Sequence, residues 1–493
     1  MSSAYAALAD RHREIALLHS CSSTLGWDQE THLPPSALTY RADQLSYLSG
    51  KAYALSSGKD YHNLLTAAED SQPTSILEKA NLREWRYQYQ RATCLNQSIV
   101  ERESQITSHA KAAWIKARED NNFSHFAPHM QQLLDLAKEK AELWGYENEA
   151  YDALLANFER GATTKDVESI FSRYEPQIKD LAASAVNRST QASPRQFEGS
   201  FPVEAQKQLN REVAESLGFD FSSGRIDTTT HPFCTTLGPK DVRLTTRYYD
   251  HDFTASLFGV MHEAGHGLYE QGLPDSEYGL PSGSSVSLGI HESQSLLWEA
   301  HVGRSPEFWH HWFPRAQELF PQLNDWNTQE FLQRINQATF SPIRVDADEA
   351  TYDLHILLRF NIERQLLKGE LQVQDIPAAW NELFASYFGF TPENDTQGCL
   401  QDIHWSMGGL GYFATYTLGN LNASQLFHIA IQSDAIKNAY DNANFTPLLE
   451  WMRTHIHQKA SLELPQDLMA SATGQTTNPD FHIQHLNKRF LNT

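Results

Sequence analysis

Cysteine is scarce in this sequence of 493 residues, and positive charge is in deficit. The four cysteines are far apart and include no CxxC pair, which argues against a disulfide framework or a thiolate zinc site. Lys and Arg number 39 against 61 Asp and Glu, giving a net charge of −22, and this charge repels nucleic acid and anionic lipid. We therefore expect no nucleic-acid partner and no membrane partner, and the cysteine usage favours a reducing compartment.

Long apolar runs are also missing. The first 20 residues interrupt their apolar positions with charged ones, so they lack the continuous apolar core of a signal peptide. No later run is long enough to span a membrane. Hydrophobic residues make up 40% of the chain and charged residues 20%, as in ordinary globular proteins. The interpretation is a soluble, cytoplasmic protein.

Helix-forming patterns dominate the residues that are present. Apolar residues recur at helical spacing over 4–19, Pro34 and Pro35 end any helix near them, and Thr163 or Thr164 is the expected cap of a later helix. Further amphipathic stretches cover 36–58, 73–119, 124–144 and 147–159. Between 219 and 250 the sequence becomes rich in Thr, Phe, Tyr and Val, which predicts a small β hairpin or meander.

The fold class that follows is mainly α, with one small β-sheet just before the most unusual residues of the chain. No convincing linker divides the sequence, so we expect a single domain over 1–493. Within it, residues 1–200 or so are expected to form an N-terminal helical subdomain or lid. Residues 201–493 then form the catalytic helical part.

One motif carries chemistry, the HExxH pattern formed by His262, Glu263 and His266. Residues four apart lie on one face of a helix, so both imidazoles can bind a single zinc ion. Glu263 then lies beside the metal's water and is the candidate general base. A surface helix with two solvated histidines is the alternative.

The residues around this motif predict its helical context. Asp252 is the expected N-cap, and the sequence from Gly272 to Pro274 is the expected stop. Gly265 and Gly267 are poor helix residues, each costing about 1 kcal/mol against Ala. Something else must therefore justify both glycines, and close packing against a neighbouring element is one such reason.

A catalytic zinc ion needs a third protein ligand and one open position. Glu292 is the candidate, 26 residues after His266 and on a second helix expected over about 287–302. Glu270 is a weaker candidate because it lies too far round the first helix, and Glu299 lies two turns beyond Glu292. His291 is expected to be a neighbour of the ligands or a core histidine.

Several motifs together resemble one known family, the carboxypeptidase Taq family of zinc metallocarboxypeptidases. Besides HEAGH and HESQ (291–294), they are HPF (231–233), DVRLT (241–245), IRVDAD (343–348) and GCLQDIHW (398–405). LGWDQETHLPP near the N-terminus is also similar to members of the family. The motifs span nearly the whole chain in the expected order, and His262, Glu263, His266 and Glu292 match the family's metal-site pattern.

The resemblance implies a large helical fold of neurolysin type, with two lobes and a deep central groove beside the metal site and the small sheet. It also implies release of single residues from peptide C-termini, with broad residue preference. The implied cofactor is Zn²⁺, with Co²⁺ as a substitute, and the implied assembly is a cytoplasmic homodimer. The resemblance also implies that the motifs containing His231 and Arg243 close one end of the groove.

Peptide recognition and transition-state stabilisation require further residues. Arg344 is the first candidate for binding the terminal carboxylate, because it precedes a helix expected over about 346–368, and Arg243 is the second. Tyr412 and His404 are candidates for stabilising the oxyanion, ahead of Tyr416. Further expectations are that His231 contacts substrate and that Asp402 orients a histidine, with a structural role as the equal alternative.

Two other functions fit parts of these observations. A neurolysin-like oligopeptidase or endopeptidase shares the HExxH motif and the helical fold, and differs in cleaving internal bonds. A metal-binding or peptide-binding protein without activity is the second alternative. Glu263 argues against that one, since no ligand role requires a glutamate at this position.

Overall fold

A computed structural model describes residues 2–492, and helices account for most of them. Nine helices precede the sheet: α1 Ser3–Thr31, α2 Leu38–Ser57, α3 Lys59–Asp70, α4 Ile76–Cys94, α5 Gln97–Glu119, α6 Ala127–Trp144, α7 Ala150–Leu155, α8 Thr164–Ala192 and α9 Val203–Leu217. Eleven helices follow it: α10 Phe253–Gly272, α11 Leu288–Leu296, α12 Pro306–Leu319, α13 Thr328–Ile335, α14 Tyr352–Lys368, α15 Ile376–Phe388, α16 Ala414–Ala430, α17 Asp434–Asp441, α18 Thr446–His455, α19 Pro465–Thr473 and α20 Asp480–Leu486. The predicted mainly helical class with one small sheet is confirmed.

Two predicted helix caps are confirmed. Thr163 accepts a hydrogen bond from the backbone N–H of Asp166 at the start of α8, and Asp252 accepts one from Thr254 at the start of α10. Both side chains satisfy N–H groups that a helix leaves without a partner in its first turn. Local sequence therefore decides where these two helices begin.

Other helix boundaries differ from the prediction. The first helix continues to Thr31 instead of ending near residue 19, because Trp27 is buried and packs 4.3 Å from the Arg243 guanidinium of the sheet. The stretch 73–119 is two helices, and Asn96 caps the second by accepting a hydrogen bond from Ile99 N–H. Tertiary contacts and a local cap thus outweigh helix propensity at these positions.

The small sheet contains β1 Gly224–Thr228, β2 Cys234–Gly238 and β3 Asp241–Thr246, in the order β1-β3-β2. Strands β2 and β3 form the predicted hairpin, and Lys240 in its turn has a positive φ of 63°. Strand β1 is not the next strand of a meander. It pairs in parallel with the far edge of β3, which leaves β3 central.

Three clusters of buried apolar side chains connect the elements. One combines α5–α8 with α14, α15, α20 and the first half of α16, and a second combines α9, β3, α10–α13, α17–α19 and the second half of α16. A small third cluster joins α1, α3 and α4 around Leu8 and Trp85. The division of the chain near residue 200 stays a prediction. Over residues 2–492, none of the helices combines the length and the apolar character that crossing a membrane requires.

Candidate metal centre and active site

Helices α10 and α11 approach each other closely enough to bring distant residues together. A Cβ atom on Gly265 of α10 would lie 2.5 Å from the Gln294 carbonyl oxygen and 2.6 Å from the Ser295 Cα of α11. A Cβ atom on Gly267 would lie 2.7 Å from the Phe219 ring. The prediction that close packing explains both glycines is confirmed.

Three side chains on these helices converge on one point. His262 Nε2 lies 3.9 Å from Glu292 Oε2, and His266 Nε2 lies 3.5 Å from the same oxygen. One ligand atom from each of the three residues lies within 4.8 Å of the other two. In residues 2–492 this is the one group of three or more His, Cys, Asp or Glu side chains that meets this distance.

The geometry of the three side chains fits a divalent ion. A tetrahedral zinc ion about 2.0–2.1 Å from each ligand would separate the ligand atoms by about 3.3 Å, close to the distances from Glu292. Two imidazole nitrogens and one carboxylate oxygen are an established set for catalytic zinc, with one position left for water. Gly419 of α16 gives Glu292 room, since a Cβ atom there would lie 2.7 Å from Glu292 Cγ.

A carboxylate orients the first histidine. His262 Nδ1 lies 2.9 Å from Glu299 Oε2, so the Nδ1–H donates to the carboxylate and Nε2 is left for a metal. Arg304 donates to the other oxygen of Glu299 (3.3 Å). Glu299 lies in a π-helical segment, Leu297–Val302, that continues α11.

A second chain of contacts orients His266. Its Nδ1 lies 2.6 Å from His291 Nδ1, and His291 Nε2 lies 2.9 Å from Glu270 Oε1. Thr236 of β2 donates to the other oxygen of Glu270 (2.7 Å). This arrangement leaves His266 Nε2 facing Glu292, as a metal ligand requires.

Sequence reasoning missed what Glu270 and Glu299 do. It treated both as weaker candidates for the third ligand, whereas each carboxylate holds a histidine in place. Their spacing carried a signal, because Glu270 follows His266 by four residues and Glu299 follows Glu292 by seven. Both separations place side chains on one helix face.

Burial and neighbouring charges act in opposite directions on the pKa values of these three side chains. Burial lowers the pKa of His262, but the charge of Glu292 and the hydrogen bond to Glu299 outweigh it and raise that pKa to about 10. Burial lowers the pKa of His266 to about 4. Burial also raises the pKa of Glu292, but the nearby histidines outweigh this and lower it to about 2. Glu292 therefore stays ionised, as a ligand must, whereas His262 has to release its extra proton when a metal binds.

Glu263 differs from the other carboxylates of the site. It is only 6% exposed, and burial raises its pKa to about 7. A carboxylate with a pKa near the working pH can both accept and return a proton. The side chain is thus suited to general-base chemistry next to the three converging residues.

These side chains line a cavity of about 590 Å³. Arg344, Tyr352, Tyr412 and Tyr416 line the same cavity. The walls come from both large apolar clusters, because α10 and α11 belong to one while α14 and the first half of α16 belong to the other.

Three other candidate residues do not line this cavity. His404 lies behind its wall, with its ring centroid 5.1 Å from that of Tyr412 and its Nε2 3.4 Å from Tyr416 Oη. Arg243 lies on β3 and donates twice to Asp241 (2.8 and 2.9 Å). His231 is exposed in the loop before β2, although the next two residues, Pro232 and Phe233, do line the cavity.

Arg344 is buried at the edge of the cavity. Its Nε and Nη2 donate to Asp402 Oδ1 (3.1 and 2.8 Å), and its Nη1 donates to Tyr352 Oη (2.8 Å). The expected helix start at residue 346 is wrong, since α14 begins at Tyr352 and Arg344 belongs to a short 3₁₀ turn. The field of the α14 N-terminus therefore does not act directly at Arg344.

Comparison of the sequence with known proteins identifies metallopeptidase relatives, as the converging side chains suggest. The sequence profile of one family, carboxypeptidase Taq (M32) metallopeptidase, matches residues 7–490. Thermostable carboxypeptidase 1 of Thermus thermophilus is 37% identical over 503 residues, covering 99% of this chain and 98% of that protein. Carboxypeptidase 1 of Bacillus subtilis is 34% identical over 499 residues, covering 97% and 95%.

A solved structure has the same fold over the full length of this chain. The crystal structure of M32 carboxypeptidase from Deinococcus radiodurans has a TM-score of 0.96 against this chain, at 32% sequence identity, with 100% of this chain and 99% of that chain covered. As its motifs predicted, this chain belongs to the carboxypeptidase Taq (M32) metallopeptidase family.

Proposed function

We propose that this metallocarboxypeptidase removes single residues from the C-termini of peptides, with broad residue preference and with zinc as its metal. The observation that supports this proposal is a single cavity lined by the converging His262, His266 and Glu292, by a buried carboxyl group and by a buried arginine. The carboxyl group is Glu263 and the arginine is Arg344. This combination provides a metal site, a base and a binding group for a terminal carboxylate.

The metal assignment rests on the chemistry of the donors. His262, His266 and Glu292 hold the ion, and Glu299 and His291 orient the two imidazoles. Two imidazoles and a carboxylate suit Zn²⁺, and Co²⁺ accepts the same ligands. When bound, such an ion lowers the pKa of a water ligand and polarises the scissile carbonyl group.

Glu263 is the proposed general base. Its buried carboxylate, next to the three converging side chains, accepts a proton from the attacking water and later delivers that proton to the leaving amine. Both transfers use one side chain, which is buried.

Arg344 is the proposed binding group for the substrate's terminal carboxylate. A guanidinium group has five N–H donors, and three of them are used in the bonds to Asp402 and Tyr352. The remaining two suit a carboxylate, which guanidinium groups bind in a planar, two-point arrangement. Arg243 and His231 are proposed to shape the end of the groove.

Tyr412 is the proposed donor to the developing oxyanion. Burial raises its pKa, so its hydroxyl keeps its proton and can donate. Tyr416 lines the same cavity, with its ring centroid 5.3 Å from that of Tyr412. His404 is proposed to hold these two tyrosines from behind, through its contacts with both.

The compartment and the assembly are proposed from the family resemblance and from the free thiols. All four cysteines are free, which fits a reducing cytoplasm. We propose a homodimer, and light scattering on the purified protein measures its mass directly.

The decisive experiment compares one N-acylated peptide as the free acid and as the C-terminal amide. Products are identified by mass spectrometry, before and after removal of metal by a chelator and readdition of Zn²⁺ or Co²⁺. We expect stepwise loss of C-terminal residues from the free acid, slow reaction of the amide, and no reaction without metal.

Other outcomes of this experiment separate the alternatives. Equal cleavage of both peptides at internal bonds would reject the carboxypeptidase proposal in favour of an oligopeptidase. Full activity after complete metal removal would reject the metal assignment.

A further inference from the structure

Two buried arginines share one carboxylate behind the cavity wall. Asp402 Oδ1 accepts hydrogen bonds from Arg344, and the other oxygen, Oδ2, accepts one from Arg359 Nε at 2.7 Å. The side chains are 8% exposed for Arg344, 1% for Arg359 and 11% for Asp402. Each oxygen of the carboxylate therefore serves a different guanidinium group.

The three side chains carry two positive charges and one negative charge, so one positive charge has no partner among them. Neighbouring carboxyl groups are engaged elsewhere. Glu349 is paired with Arg489, and Asp348 accepts hydrogen bonds from backbone N–H groups. Burial raises the pKa of Glu363, one turn beyond Arg359 on α14, to about 7, which reduces its negative charge near neutral pH.

A buried charge without a partner is costly, so its presence beside a cavity needs a reason. Arg344 lines the cavity, whereas Arg359 does not. The excess positive charge can therefore be reached by a ligand only through Arg344. An anionic ligand in the cavity would compensate it.

We propose that Arg359 is a positioning residue for the terminal carboxylate of the peptide substrate, acting through Asp402 on Arg344. This inference rests on the role of Arg344 proposed above. If Asp402 bonded Arg344 alone, the two would form a neutral pair, and the carboxylate of Asp402 would repel that of the substrate. Arg359 binds one oxygen of Asp402 and so balances part of its negative charge. Asp402 can then orient Arg344 without neutralising the positive charge that Arg344 presents to the cavity.

The surroundings of Arg359 hold it rigidly enough for this role. Its Nη1 donates to the His355 carbonyl oxygen (2.7 Å) within α14. Its guanidinium carbon lies 4.6 Å from the centre of the Trp380 ring and 5.3 Å from that of Phe413. These contacts fix the guanidinium group that binds Asp402 Oδ2.

Variants that change the net charge of Arg344, Asp402 and Arg359 test this inference. Arg359→Met leaves a neutral pair of Arg344 and Asp402, so KM for a free-acid peptide should rise by about 10- to 100-fold, the effect of losing one charged hydrogen-bond partner. The turnover number kcat and the metal content should change by less than about threefold. The double variant Arg359→Met, Asp402→Asn again has one net positive charge, and its KM should return toward that of the parent.

A purely structural role for Arg359 predicts a different pattern. The double variant removes more contacts than the single one, so it should then be worse in stability and in KM. An unchanged KM in Arg359→Met, or a double variant without recovery, would overturn the inference.

Two further variants keep the test decisive. If Arg359→Met does not fold, Asp402→Asn alone is informative, because it raises the net charge and should lower KM for the free acid, whereas a lost structural contact would raise it. Arg344→Met tests the underlying proposed function. An increase in KM for Arg344→Met without one for Arg359→Met rejects only the present inference, whereas no increase for Arg344→Met rejects the carboxylate-binding role itself.

Discussion

Glu263 follows His262 directly on α10, and its carboxyl group is almost completely buried. Replacing it with Gln keeps its size and removes the proposed base. Turnover should fall by at least about 10²-fold, the lower range for loss of general acid–base catalysis. Metal content and folding should be kept, since the proposed ligands are other residues. Steady-state kinetics measures the turnover, and elemental analysis of the same preparation measures the metal content.

A matched control for this change is Glu318→Gln on α12, where the carboxylate is 67% exposed and paired with Arg315. This variant makes the same chemical change far from the cavity and should keep parental turnover. Retained activity in Glu263→Gln would assign the base to another residue.

At the scale of the elements, α10 and α11 must stay in contact for the three proposed metal ligands to meet. Gly265→Ala places a methyl group about where the α11 backbone now lies, with 2.5 Å to the Gln294 carbonyl oxygen. Since backbone cannot yield as a flexible side chain does, the helices should separate. We expect loss of about 1–3 kcal/mol in unfolding free energy, as for other overpacked sites. Metal affinity should fall as well, because Glu292 moves with α11.

Gly259→Ala on the same helix is the control for Gly265→Ala. The nearest atom to its added methyl group would be Thr246 Oγ1 at 3.4 Å, a side-chain atom. This variant should bind metal like the parent and gain slightly from better helix propensity. Equal metal affinity in both variants, measured by competition with a chelator, would contradict the packing argument.

At the scale of the whole molecule, Glu159 joins the segment after α7 to the start of α11. Its carboxyl group is fully buried and accepts hydrogen bonds from Ser287 Oγ (3.1 Å) and Gly289 N–H (3.0 Å). Burial raises its pKa from 4.5 to about 7. Because the folded-state pKa is the higher one, its contribution to stability is complete below pH 4.5 and is lost as pH rises through 7.

Glu159→Gln removes this pH dependence. The difference in unfolding free energy between variant and parent should therefore be about 3 kcal/mol more favourable to the variant at pH 7 than at pH 4.5. This change does not depend on the size of the difference at pH 4.5. Denaturant unfolding at several pH values measures the gain, with the exposed Glu198→Gln as the control for removing a surface carboxylate. A constant difference across this pH range would contradict the prediction.

Several features of this protein could be predicted from the sequence because they depend on local spacing. His262 and His266 share a face since they are four residues apart in a helix. Thr163 and Asp252 begin α8 and α10 because their side chains accept bonds from N–H groups two or three residues away. The motifs also sufficed to identify the family, since their order along the chain does not depend on folding.

Other features depend on contacts between residues that are far apart in the chain, and only the tertiary structure decided them. Arg344 and Asp402 are 58 residues apart, and nothing in the local sequence indicated that Asp402 divides its oxygens between Arg344 and Arg359. The pairing of β1 with the far edge of β3 has the same origin. Spacing along a helix determines which side chains share a face, whereas the packing of elements determines which partners those side chains meet.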